Sequence, residues 1–231
     1  MILEQILDKF KGGLTMERLQ DLTSYLQKAR YNGIPWVLSR IRERVLYKLF
    51  KYKDLTLIIY GVRLIEMPLL DAKIDVRYDW VTPADTPKIL ALNFIELNAE
   101  RVEEYFQRGS RCYGAFLEER LIACSWVHFG RFDFPFYQYS IPLKDNEVYD
   151  GPDYVDPEFR GKRLHEAILT RLAAYFREKN IDFAYGSVVE DNIASHKGVK
   201  RAGVKPIYEV RVIKLSERIL YKKIREYSVP E

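Results

Sequence analysis

The chain has 231 residues, 48% of them hydrophobic and 14% aromatic, which suits one packed domain with room for an extension and excludes a disordered chain. A formal net charge of +4 is too small an excess for a nucleic-acid binder, and no nucleic-acid partner is expected. Two cysteines make no disulfide framework, the opening Met1-Ile2-Leu3-Glu4-Gln5 lacks the order of a signal peptide, and no apolar run reaches the ~18 residues of a membrane span. A soluble, cytoplasmic protein is the expectation.

Met16 to Arg30 carries Leu19, Leu22 and Leu26 at helical spacing, and Tyr31-Asn32-Gly33-Ile34-Pro35 breaks it. Trp36 to Phe50 resumes with Leu38, Ile41, Val45 and Leu49 on one stripe, beside Arg40, Arg42, Arg44 and Lys48. This basic amphipathic stretch, 36–53, suits packing on a sheet, a peripheral membrane contact or a protein contact. Leu55 to Val62 is short and β-branched, hence a strand. Residues 1–73 thus read as a mainly helical extension with one strand.

From Ile74 the rhythm changes. Ile74 to Trp80 alternates as a half-buried strand, and Thr82-Pro83 opens a helix as cap and first residue. A helix over Ala99–Gln107 follows, then strands Arg111–Leu117 and Leu121–His128 around a tight turn. An aromatic stretch runs from Trp126 to Tyr139. A strand over Glu147–Val155 leads to a helix over Lys162–Lys179, a strand over Phe183–Val189, a helix over Asn192–Ala202 and a strand over Pro206–Leu215. Ser216 to Tyr227 reads as a final basic helix, within a tail over 216–231. The strand–helix–strand unit demands a right-handed parallel crossover, whereas the remaining strands can pair antiparallel. The expected fold is α/β: a mixed, mostly antiparallel twisted sheet with helices on both faces over residues 74–215.

Chemistry concentrates in Val155-Asp156-Pro157-Glu158-Phe159-Arg160-Gly161-Lys162-Arg163-Leu164-His165. A strand ends at Val155, and a basic, glycine-containing turn enters a helix whose first N–H groups and dipole suit a pyrophosphate. On these residues the sequence resembles the GNAT superfamily of acyltransferases. That family's loop runs Arg or Gln, two variable residues, Gly, any residue, Gly or Ala, after a strand ending Val-x-Pro. Val155-Asp156-Pro157 and Arg160-Gly161-Lys162 match, while Arg163 and His165 stand where small residues belong. Asn192-Ile193-Ala194-Ser195 through Gly203-Val204 fits the family's second mark. The resemblance covers about the last two thirds of the chain.

The resemblance implies an acyl-CoA N-acyltransferase with acetyl-CoA as co-substrate, no metal, and direct attack by a primary amine; the aromatic stretch suits an amino sugar or other small molecule as acceptor, with a protein N-terminus or lysine the second enzyme reading. It places the cofactor against Val155, Arg160, Gly161, Lys162, Arg163, Leu164, His165, Asn192 and Ser195. A base is expected on the strand before the loop. With side chains alternating, Glu147, Tyr149, Asp153 and Val155 share one face, and Glu147, Tyr149 and Asp153 are the candidates. Asp150 falls on the other face unless Gly151-Pro152 makes a bulge. The tyrosine that relatives place before the terminal glycine is Val199 here, with His196 on the same helix. The aromatic stretch is either hairpin core or an acceptor surface with His128 and Arg131. The altered loop leaves a second reading, a non-catalytic module that binds acyl-CoA or a partner.

Overall fold

A computed structural model describes residues 33, 37–39, 41–92, 94 and 97–227. The chain divides into two compact units: residues up to Lys53 with Lys214–Arg218, and Asp54–Ile213 with the residues from Ile219. In the first unit a helix, α1, runs over 41–50 and exposes Ile41, Val45 and Leu49. The helix expected over Met16–Arg30 lies outside the described residues.

The sheet has eight strands in the order β10-β9-β1-β8-β7-β4-β3-β2. In chain order these are β1 (Tyr52–Arg63), β2 (Arg77–Val81), β3 (Arg111–Leu117), β4 (Arg120–His128), β7 (Glu147–Val155), β8 (Phe183–Val189), β9 (Lys205–Leu215) and β10 (Arg218–Glu226). A small second sheet pairs β5 (Arg131–Phe134) with β6 (Tyr139–Pro142). The helices are α2 (Thr86–Ala91), α3 (Ala99–Gln107), α4 (Leu164–Arg177) and α5 (Ile193–Arg201). β7 and β8 are parallel through the α4 crossover, and β1–β8, β2–β3, β3–β4 and β4–β7 are antiparallel. The sheet is therefore mixed and mostly antiparallel, as expected.

Two placements differ from the sequence reading. Ser216–Tyr227 is no helix: Ser216 and Glu217 form a turn and Arg218–Glu226 is the edge strand β10. Ile219, Tyr221 and Ile224 suit an extended chain, and pairing with β9 satisfies backbone groups that a short isolated helix would leave marginal. β1, assigned by its sequence to an extension, lies inside the sheet between β8 and β9. Leu57, Ile58, Ile59, Tyr60 and Val62 are all buried, the unbroken apolar run of a strand covered on both faces.

Helices cover both faces. On one, α2 and α3 pack Ile89, Val102 and Tyr105 against Cys112, Cys124 and Trp126. On the other, α4 packs Leu164, Ile168 and Leu172 against Ala115, Ala123, Val127 and Val148. The β5–β6 hairpin covers the first face further along, with Phe134, Tyr137 and Ile141 on Leu57, Ile59, Tyr149, Val210 and Val212.

Candidate active site

β7 and β8 are hydrogen-bonded neighbours only as far as Tyr149↔Tyr185. Beyond that point β7 stays with β4 up to Val155, while β8 stays with β1 up to Val189. The two parallel strands thus diverge, and over 150–155 β7 has no strand partner on its β8 side. Gly186 of β8 brings no side chain to this gap, and a β-carbon there would be in ordinary contact with the Asp150 carbonyl oxygen at 3.5 Å.

The divergence coincides with a bulge. Ser125 pairs with Asp153 and Val127 with Asp150, so Gly151 and Pro152 together oppose Trp126. Gly151 sits at φ +124°, which side chains rarely tolerate. From the other face His128 braces the bulge. Its Nε2–H donates to the Gly151 carbonyl at 2.8 Å, and its Nδ1 accepts from Ser110 Oγ at 2.8 Å. Burial pushes the His128 pKa down to about 4, so this ring is neutral.

The bulge decides which side chains meet. Simple alternation would keep Asp153 with Glu147 and Tyr149, but the extra residue turns Asp153 and Val155 to the α4 face, beside Asp150. Ser125 Oγ, fully buried, donates a short hydrogen bond to Asp150 Oδ1. His165, on the first turn of α4, lies 2.9 Å from Asp153 Oδ2 through its Nε2. Burial and the Asp153 charge hold the Asp150 carboxyl well above the usual carboxylate range, against the opposing Ser125 hydrogen bond and His165 charge. Burial opposes charge on His165, but Asp153, Asp150 and Glu166 outweigh it and raise its pKa to about 9.

Glu147 and Tyr149 are elsewhere. Glu147 closes the turn into β7, its Oε2 accepting from Lys144 N at 3.1 Å. Tyr149 is buried on the hairpin face, stacked on Phe132 at 3.8 Å and hydrogen-bonded to Ser187 Oγ at 2.7 Å. Burial raises its phenol far above the ordinary range. Of the three carboxyl and phenol candidates named from the sequence, Asp153 lies on the α4 face, while Tyr149 reaches across to Ser187 of β8 on the hairpin face where the strands part. Asp150 joins Asp153 because the bulge is present.

The turn leading into α4 is held from two sides. Arg120 of β4 reaches Asp156 Oδ2 at 2.6 Å and Glu158 Oε2 at 3.0 Å. Lys73 N donates to the Lys162 carbonyl at 2.8 Å, from a strap whose Leu70 carbonyl accepts from Arg171. Gly161 takes φ +78° with open space around its α-carbon, and Arg163 takes φ +60° as the residue capping α4. Arg160, Lys162 and Arg163 are exposed, whereas Leu164 is a core residue that offers only its backbone N–H. Val155 packs at the edge of the α4 core. Asn192 Oδ1 caps α5 by accepting from Ser195 N at 3.2 Å.

Sequence reasoning missed Ser125 and the His128 brace. A lone serine within the apolar run Leu121–Val127 was the available signal. It also missed that His196 Nδ1 lies 2.6 Å from the hydroxyl of Tyr60 on β1, which packs with Val199. Cys112 and Cys124 are both buried. Most rings of the aromatic stretch are hairpin core, and Arg131 is paired with Asp133 at 2.6 Å. A cavity of about 400 Å³ lined by Asp71, Lys73, Tyr78 and Arg171 lies under the strap and away from the crevice.

A parallel pair that splits at a bulge, beside a basic turn and a helix N-terminus, is the layout of an acyltransferase fold. The family model for the acetyltransferase (GNAT) family matches residues 78–203, and the chain belongs to that family. Similar solved structures include a GCN5-related N-acetyltransferase from Sphaerobacter thermophilus (TM-score 0.55, 11% identity, 80% of this chain and 56% of that one). A Drosophila protein (0.52, 13% identity, 78% and 58%) and a GNAT-family protein from Novosphingobium aromaticivorans (0.50, 15% identity, 69% and 63%) are also similar. At these identities the likeness is one of fold, and the chain spans between 56% and 63% of the length of these three proteins. No curated protein matches the chain. Among the described residues no helix is long and apolar enough to cross a membrane.

Proposed function

We propose that the protein is a cytoplasmic N-acyltransferase that moves an acyl group, acetyl foremost, from coenzyme A to a primary amine of a small molecule such as an amino sugar. The divergence of β7 from β8 at the bulge carries this reading, because it opens a slot in the sheet lined by unpaired β7 backbone. The pyrophosphate would sit against the turn over 160–163 and the first N–H groups of α4, with Arg160, Lys162 and Arg163 supplying charge. A β7 N–H in the unpaired stretch would polarise the thioester carbonyl. The amine nitrogen forms the new bond to the carbonyl carbon, the carbon–sulfur bond breaks, and the pair of electrons leaves on the CoA thiolate. The amine's proton passes to Asp150, a carboxyl at the divergence whose proton affinity is raised by burial and by the Asp153 charge.

The expected result is thermal stabilisation by acetyl-CoA and thiol release on adding the right amine from a panel. Asp150→Asn should keep the stabilisation and lose at least roughly a hundredfold in turnover. No stabilisation by any acyl-CoA overturns the reading. Arg163 and His165 in place of small residues favour a second reading, an acyl-CoA-binding module, which stabilisation without turnover on any amine would support. The exposed apolar stripe of α1, with Arg42, Arg44 and Lys48 beside it, supports a peripheral contact with a membrane or a partner protein. Sedimentation with anionic vesicles tests the membrane form of that contact.

A further inference from the structure

We propose that Asp153 and His165 are positioning residues that act as a charge pair to set the proton affinity of Asp150. The inference rests on Asp150 as the base, and goes beyond it by assigning the two residues that tune it. The bulge places Asp150 and Asp153 on one face, three positions apart in sequence, where an unbroken strand would put them on opposite faces. The Asp153 carboxylate is half satisfied: Oδ2 lies 2.9 Å from His165 Nε2, while Oδ1 is buried with no hydrogen-bond partner. An anion left in that state projects its field onto the neighbouring carboxyl, and a low-dielectric crevice strengthens that field.

His165 limits the effect. It stands on the first turn of α4, wedged towards α5, where a β-carbon at Gly198 would lie 3.5 Å from its Nδ1. Its other acidic neighbour, Glu166, is paired with Arg201 of α5, which reaches Glu166 Oε1. The charged groups acting on Asp150 are therefore Asp153 of β7 and His165 of α4, with Ser125 of β4 the uncharged donor. Asp153 makes Asp150 a stronger base and His165 a weaker one, with Asp153 the larger influence. The pair also explains why a histidine stands where the family's loop has a small residue: the side chain is held against β7 by Asp153 and faces a glycine of α5.

The pH dependence of kcat/KM tests this, because a purely structural role would not move its acidic limb. His165→Gln should shift the limb to higher pH and Asp153→Asn to lower pH, with folding checked by thermal melting. NMR of the imidazoles gives a second readout. The His165 ring should titrate near 9 in the wild type and fall towards 6.5 in Asp153→Asn. An acidic limb that is lost in Asp150→Asn but unmoved by His165→Gln overturns the pair's role and leaves the base standing. An acidic limb that survives in Asp150→Asn overturns the base itself, and with it this inference.

Discussion

Two histidines on opposite faces of β7 are driven in opposite directions. His128 is pushed down to about 4 and His165 up to about 9, from an ordinary 6.5. A group with a depressed pKa stabilises the fold above its unfolded value and loses that contribution as pH falls towards the folded value. His128 therefore costs stability between 6.5 and about 4. A group with a raised pKa stabilises below its unfolded value and loses that as pH climbs through the folded one, so His165 costs stability between 6.5 and about 9. Each is worth about 3 kcal/mol by the usual conversion. Melting temperature against pH should peak near the ordinary histidine value, and His128→Gln should flatten the acid side of the peak. Asp150 acts in the same sense as His165. Burial and the Asp153 charge raise its carboxyl, so ionising it costs stability as pH rises, and Asp150→Asn should lose less melting temperature than wild type on going alkaline while losing activity. Arg163 is a simpler case. It holds φ +60°, so Arg163→Gly should stabilise by about 1 kcal/mol, read as a rise in melting temperature.

At the scale of elements, strands 111–117, 147–155 and 183–189 and the helix over 99–107 were legible in the sequence to the residue. Alternation, caps and glycines mark them, and these signals are local. The pair β5–β6 was legible only as an aromatic stretch, since Pro135 and a left-handed Gln138 bend the chain between two strands of four residues. The site was half legible. Its loop and its two aspartates stand in the sequence, but the face each aspartate presents depends on Gly151-Pro152 opposing Trp126, a tertiary fact. The basic tail failed for the same reason: composition allowed a helix, and the edge of β9 decided for a strand. The hairpin's role follows from its burial. Phe134 meets Tyr149 edge-on at 5.5 Å and is 8% exposed. Phe134→Ala should cost about 3 kcal/mol, seen as a lower denaturant midpoint, with KM for acyl-CoA unchanged.

For the molecule as a whole, the matched family region begins at residue 78, yet the strand between β8 and β9 is β1, which ends at Arg63. A fragment limited to 78–203 would bare the edge of β8 and remove Tyr60 from His196. It should be insoluble or molten, as judged by circular dichroism and exchange of amide hydrogens, although it contains the entire loop and every residue proposed to touch the acyl-CoA.

The place of β1 also bears on how the protein is made. Leu57, Ile58, Ile59 and Tyr60 leave the ribosome early, but their partners Gly186–Val189 follow more than a hundred residues later. At ordinary elongation rates the strand waits on the order of ten seconds with both of its edges open. Closure of the sheet therefore comes late and over a long loop, the arrangement that folds slowly and invites premature pairing between chains. A nascent chain with this order of strands should depend on chaperones that bind short apolar segments, and its yield should rise when translation is slowed or the temperature lowered.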